Sequence, residues 1–215
     1  MARPRNVTAM RIGILGTGNV GKAVAAGLAA AGHDVVLGSR DPDSHKDLGQ
    51  RVVTQEEAAA HGEVVVDALG SGAPLTTLPA LAGHLDGKVL IDISIDLTPE
   101  MDLIHLDKSL AEQLQAALPG TRVVKTLCTV DSAIMADPLK TLPTPTTIFL
   151  SGEDPAAKAT VGALLADLGW APEHQLDLGG ISSARAQEHM ALMFVAVAGA
   201  VGGHVFNFSL VTPSA

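Results

Sequence analysis

The chain has 215 residues, 47% of them hydrophobic and 17% charged, with a formal net charge of −9. That length and composition support one large folded core, with room for a small appendage, and exclude wholesale disorder. The acidic balance argues against a nucleic-acid surface, and with no Tyr, one Trp and four Phe there is no stacking platform for bases.

The single cysteine, Cys128, has no internal disulfide partner, so a reducing cytoplasm is the expected setting. Residues 1–9, MARPRNVTA, carry two arginines and no apolar stretch, and are expected to form a flexible tail rather than a secretory leader. The longest uncharged apolar run is Met190–Phe206, 17 residues with three glycines and a histidine. It falls short of the ~20 apolar residues usual for a membrane span. A buried helix, at a subunit interface, is expected there instead.

In chain order, Arg11–Leu15 reads as a buried strand. Gly16-Thr17-Gly18-Asn19-Val20-Gly21 then fits G-x-G-x-x-G, followed by a helix with Val20, Val24 and Leu28 on one face. Gly32 is placed to end that helix, and Asp34–Gly38 reads as a second strand. The motif alone is weak. Set between a strand and a helix it predicts a dinucleotide cradle, with Gly16 for the turn, Gly18 for close approach of a pyrophosphate and Gly21 for helix–sheet packing. The helix N-terminus supplies unpaired N–H groups for the phosphates.

The end of the second strand chooses the dinucleotide. Counting about 20 residues from the glycines lands near Asp34, an acid that would hold an NAD ribose. Asp34, however, begins the strand, and the adenosine ribose belongs at its carboxyl end, where the chain reads Gly38-Ser39-Arg40. A hydroxyl and a guanidinium suit a 2′-phosphate. NADP(H) is therefore expected over NAD(H); His45 and Lys46 lie near enough to add charge but are read as solvated in preference to binding.

Residues 41–62 read as a polar loop with a short helix starting near Thr54, where Glu57 completes a capping box. Glu63–Leu69 is a buried strand, Gly70–Pro74 a loop, and a helix runs through about Leu85. Lys88–Ile93 is the next strand. Ligands of open α/β sheets lie beyond the carboxyl ends of the strands, so Ala68, Leu69, Gly70, Ser71, Ser94 and Ile95 are expected at the nicotinamide end. Asp67 and Asp92 lie inside these strands and are read as structural acids in preference to catalytic ones. A helix is expected around Ser109–Leu118, and strands at Thr121–Thr126 and Thr146–Leu150. A helix with Val161, Leu164, Leu165 and Leu168 on one face follows and is stopped by Gly169. A short strand at 174–178 and a helix over Ser182–Gly202 complete the chain. The fold class is α/β, a Rossmann-like doubly wound parallel sheet with a small C-terminal α/β extension ending in an apolar helix. The expected division is a tail at 1–9, an NADP-binding domain at 10–140 and a C-terminal part at 146–215 that completes the cleft and forms a dimer interface.

With these pieces in place the chain resembles the F420-dependent NADP reductase family. The resemblance rests on MRIGILGTGNVGKAVAAGLAAAGHDVVLGSR, VVKTLCTV, IFLSGEDPAAKATVGALLADLGW and LDLGGISSARAQEHM. It implies NADP(H) bound by the first block, with Ser39 and Arg40 as the 2′-phosphate clamp, and a cleft for a deazaflavin shared with the C-terminal part. It also implies direct hydride transfer between the two ring systems. Three positions depart from that family's usual pattern, namely Leu69-Gly70, Ile95-Asp96 and Cys128, all on the presumed acceptor side. Ile95 and Cys128 are thus the candidate substrate-side residues.

No catalytic side chain is expected, because hydride transfer between cofactors depends mainly on orientation. There is no G-x-S-x-G, no H-E-x-x-H, no metal-ligand spacing and no lysine placed as an obvious proton donor. His84, His105, His174, His189 and His204 receive no role. Cys128 is read as a small pocket-lining hydrophobe more readily than as a reactive thiol. Two function classes stay open: an NADPH-dependent reductase acting on coenzyme F420, a flavin, a quinone or a metal chelate, and an NADP(H)-binding sensor without turnover.

Overall fold

A computed structural model describes residues 8–45 and 48–213. Most of the expected tail at 1–9, and Lys46, lie outside the described residues.

The chain enters a parallel sheet at β1 (Arg11–Leu15), where Ile12, Ile14 and Leu15 are fully buried. It turns through Gly16–Gly18 into α1 (Asn19–Ala30). Gly32, at φ 101°, ends α1 in a left-handed cap: its N–H donates to Ala29 O at 3.0 Å, and His33 N–H donates to Leu28 O at 3.1 Å. β2 (Asp34–Ser39) then pairs in parallel with β1.

The segment read as a loop before Thr54 contains a strand. β3 (Arg51–Thr54) is short, lies at the sheet edge and is only half-buried, so it lacks the continuous apolar run that marks its neighbours. α2 (Gln55–His61) follows with its capping box formed. Thr54 accepts the Glu57 N–H at 3.1 Å, and the Glu57 carboxylate accepts the Thr54 N–H at 2.8 Å. β4 (Val64–Asp67) leads through a loop to α3 (Pro74–Ala80) and α4 (Ala82–Leu85). These were expected as one helix; the break at Leu81 follows Pro79, which lacks the N–H a continuous helix requires.

β5 (Val89–Asp92), α5 (Leu110–Ala117) and β6 (Arg122–Lys125) complete the sheet. Its order is β3-β2-β1-β4-β5-β6, and every pair is parallel. The winding reverses between β1 and β4, which opens a crevice at the carboxyl ends of those two strands.

Helices cover both faces. On one face Val24 and Leu28 of α1 pack with Ile12, Ile14, Val66 and Ile91. On the other, α2 to α5 cover Leu15, Val65, Leu90 and Val123. After β6 the region read as a loop holds a one-turn helix, α6 (Ser132–Met135), capped by the Asp131 carboxylate.

The C-terminal extension contains β7 (Ile148–Leu150), α7 (Pro155–Asp167) and β8 (Gln175–Asp177), with β7 and β8 forming a parallel pair. Val161, Leu164 and Leu165 of α7, with Leu168 just past its end, join the same apolar cluster as α1 and the sheet, so one core runs through both parts. A two-way backbone bridge between Lys125 and Ser151 links them again, at 2.8 and 3.0 Å. α8 (Ala184–Val201) buries Ala184, Gln187, Glu188 and Ala191 near its start. Its apolar remainder was expected to be buried, yet Leu192, Met193 and Val201 are exposed by 46, 56 and 65% in the single chain. Among the described residues no helix is long and apolar enough to cross a membrane.

Candidate functional site

The crevice at the switch point is a cleft of about 770 Å³. The glycine turn forms its floor. Gly16 has a positive φ, and a Cβ on it would lie 2.2 Å from Ala68 O, so the turn presses directly on the end of β4. Gly21 packs α1 onto the turn, since its absent Cβ would meet Gly16 O at 2.2 Å. A Cβ on Gly18 would meet nothing within 4 Å, leaving open space where a phosphate can approach the backbone. α1 carries no side-chain cap and no acidic residue in its first turn, so its leading amides and dipole stay available to an anion. Gly16, Thr17, Gly18, Asn19 and Val20 all line the cleft.

At one end lie Ser39 and Arg40. Ser39 is buried, and its Oγ accepts the Asp41 N–H at 3.1 Å, which folds the chain back at the end of β2. Arg40 is exposed at the cleft mouth. His45 also lines the cleft, its Nε2 3.3 Å from Thr17 Oγ1. Among the described residues that line the cleft, Asp41 is the acid. A short hydrogen bond from Ser44, opposed by slight burial and helped by His45, holds its carboxyl below the usual range. Asp34 stands at the opposite end of β2, 3.4 Å from His61.

The other end is built from two matching turns. The Asp67 carboxylate accepts the Leu69 N–H, and the Asp92 carboxylate accepts the Ser94 N–H, both at 3.0 Å. Each aspartate thus bends its chain out of the sheet two residues later, which sets Ala68, Leu69, Gly70 and Ser71 opposite Ser94 and Ile95. Ser94 Oγ joins the two turns by donating to Leu69 O at 3.1 Å. Further out, Ser71 Oγ donates to Leu97 O at 2.8 Å and accepts Leu97 N–H at 2.9 Å. Asp96 accepts Gly72 N–H at 2.8 Å and lies 2.9 Å from His105 Nε2.

All the residues expected to hold the cofactor therefore share one cleft, and Ile95 joins them. Cys128 does not. It lies beyond β6, its Sγ 3.9 Å from Gln187 Oε1, and burial pushes its thiol up to about 12 despite nearby Lys125. No described residue after Ile95 lines the cleft, so within one chain the C-terminal part does not wall it. Gln55, Ala73, Thr76 and Thr77 also line it and were not singled out from the sequence. They occupy the first turns of α2 and α3 or the residue before α3, positions that Thr54 and Pro74 could have flagged as helix starts facing the strand ends.

The sequence also gave no hint of a buried charge cluster beneath this end. Lys125, fully buried, lies 3.0 Å from Asp92 Oδ2 and 2.9 Å from Glu188 Oε1. Burial works against its charge, but Asp92 and Glu188 outweigh that and hold the ammonium above the ordinary lysine range. Burial raises Asp92 to about 6 against the pull of Lys125. Asp67, with Oδ2 unpartnered, is raised well above the usual carboxylate range by burial and by Asp92 beside it.

The cleft fits a dinucleotide on three counts: open space over Gly18, uncapped amides at α1, and a cationic, hydroxyl-bearing end at Ser39–Arg40. Comparisons agree. Residues 11–96 match the model of the family described as NADP oxidoreductase, coenzyme F420-dependent. The F420-dependent NADP reductase of Methanothermobacter marburgensis is 31% identical over 150 residues, 60% of this chain and 67% of that protein. Metalloreductase STEAP3 of Rattus norvegicus is 32% identical over 188 residues, 86% of this chain; the chain spans 37% of that relative's length. The crystal structure of a protein from Arthrobacter sp. FB24, described there as a candidate F420-dependent NADP reductase, superposes with a TM-score of 0.85. It is 34% identical, and the match covers 95% of this chain and 100% of that one.

Proposed function

The chain belongs to the coenzyme F420-dependent NADP oxidoreductases, and from that premise we propose that it passes a hydride between NADP(H) in this cleft and a flat, flavin-like acceptor such as coenzyme F420. The observation that carries the proposal is that the Gly16–Val20 turn, Ser39–Arg40 and Ser94–Ile95 line one continuous cleft. A dinucleotide laid across the switch point would place its phosphates at α1, its adenosine at β2 and its nicotinamide at β4 and β5.

NADPH, when bound, supplies the hydride. The protein's part is orientation. Arg40 and Ser39 hold the 2′-phosphate, the amides of Thr17 to Val20 hold the pyrophosphate, and Leu69, Ser94 and Ile95 wall the nicotinamide and shed water from its face. Direct transfer between two rings requires stacking at near-attack distance and no acid–base residue, consistent with a wall of apolar side chains and backbone groups.

The likeness to a metalloreductase over 86% of the chain supports a second reading, an NADPH reductase acting on a free flavin or a ferric chelate. The exposed apolar face of α8 supports a homodimer in either case, with two such faces covering each other. An NADPH-oxidation assay against coenzyme F420, riboflavin, FMN, FAD, quinones and ferric chelates separates these readings. Turnover with F420 alone is expected. Turnover only with flavins or ferric chelates moves the activity to the second reading, and turnover with none makes the protein an NADP(H)-binding sensor.

A further inference from the structure

We propose that Lys125 is the positioning residue for the nicotinamide end of the cleft: from behind the wall it holds the backbone of Ser94 and couples that wall to α8. The inference rests on the cofactor reading above.

Asp67, Asp92 and Lys125 end adjacent strands in register, Asp67 opposite Asp92 and Asp92 opposite Lys125, so their side chains share one face of the sheet. The ammonium of Lys125 has three N–H donors. It meets three acceptors: Asp92 Oδ2 at 3.0 Å, Glu188 Oε1 at 2.9 Å and the Ser94 carbonyl. Asp92 uses its other oxygen to accept the Ser94 N–H at 3.0 Å. Both backbone polar groups of Ser94 are therefore gripped by the two halves of one buried ion pair. The Ser94 hydroxyl carries the constraint across to Leu69 O, so the facing loops of the cleft wall move as a unit whose foot is Lys125.

Glu188 extends that unit. Its carboxylate also accepts the N–H groups of Leu110 and Ala111 at 2.8 and 3.3 Å, at the start of α5. Next to it, Gln187 Nε2 donates to Ser151 Oγ at 2.7 Å and to the Lys125 carbonyl at 3.4 Å. α8 is thus hydrogen-bonded to the same lysine that sets the wall, although none of its residues lines the cleft.

Stability does not account for such a cluster. A buried ion pair is commonly no more stabilising than apolar side chains of the same volume. All three ammonium hydrogens are committed, so Lys125 has no proton for a substrate. What its geometry does supply is a fixed Ser94–Ile95 wall. Hydride transfer is sensitive to that wall, because a displacement of about 1 Å can cost 10²-fold in rate.

The test uses two ligands that divide the cleft. Adenosine 2′,5′-bisphosphate fills only the adenosine end, whereas NADPH also needs the nicotinamide wall. The variants are Lys125→Met and the triple Asp92→Asn/Lys125→Met/Glu188→Gln, in which neither of the lysine's two carboxylate partners is left charged and unpaired. In both, the bisphosphate is expected to bind within about twofold of the parent, while NADPH binds about tenfold or more weakly and kcat for NADPH oxidation falls at least as far. If the single variant loses both ligands and the triple behaves as expected, the proposal stands, since unpaired carboxylates explain the single variant. A triple variant that binds and turns over NADPH like the parent overturns it. So does equal loss of both ligands in the triple, which would make the cluster a prop for the whole fold. Failure of the parent itself to bind either ligand would instead reject the cofactor reading.

Discussion

Gly21 and the carbonyl of Gly16 are in such close contact that a Cβ on Gly21 would fall 2.2 Å from the oxygen. The atom in the way is backbone, so it cannot swing aside. Gly21→Ala must push α1 off the turn, and overpacking of this kind costs about 1–3 kcal/mol. The thermal midpoint is expected to fall accordingly, and NADPH affinity with it, because the leading amides of α1 move with the helix. A variant with unchanged melting and NADPH titration would show that the turn tolerates the shift.

Arg40 lies at the mouth of the cleft beside Ser39. If the guanidinium holds the 2′-phosphate, Arg40→Ala removes a charge-assisted contact worth about 1.5–3 kcal/mol. NADPH affinity should fall by one to two orders of magnitude while NADH affinity changes little, as read by cofactor titration. Equal affinity of the parent for the two cofactors would sink the assignment of Ser39 and Arg40.

Asp67 gives a pH signature. Its folded-state carboxyl is raised by burial first and by Asp92 second, whereas in the unfolded chain it titrates near 3.9. Above that pH the folded state binds more protons than the unfolded one, so stability from this group is full in acid and is lost as pH rises. Asp67→Asn mimics the neutral form and lacks that slope. Denaturant titrations from pH 4 to 8 should show the variant gaining on the parent as pH rises; parallel curves would mean that Asp67 is ionised in the folded protein.

Desolvation of the half-buried Cys128, opposed by Lys125, pushes its thiol up to about 12. The thiolate is the reactive form, and an unperturbed cysteine titrates near 8.5. Iodoacetamide at pH 8 should alkylate the folded protein at well under a tenth of the rate for free cysteine, with the full rate returning in denaturant. Fast labelling of the folded protein would place Cys128 in an exposed, activated setting.

Much of the local structure around the cleft was legible in the residues because its signals are local. The turn from Gly16 to Gly21, the Gly32 cap and the Thr54–Glu57 capping box each involve groups within a few positions of one another, where backbone sterics and hydrogen bonding decide the outcome. β3 escaped because a four-residue, half-exposed edge strand earns its place from pairing with β2, not from its own apolarity. The single apolar helix expected to be buried left its far face open because burial is a property of neighbours, and one chain supplies too few.

The sequence by itself determined that a strand, a glycine turn and a helix would follow one another, and that Ser39 and Arg40 would stand at the end of the second strand. Those facts follow from backbone geometry over about 30 residues. Only the tertiary structure decided that Asp67, Asp92 and Lys125 stand side by side, that Glu188 closes the row, and that Ser94 is held between them. Their partners lie tens of residues away, and no local pattern records sheet register. Burying those charges is tolerable only once every partner has arrived, so the row exists as a consequence of the finished fold.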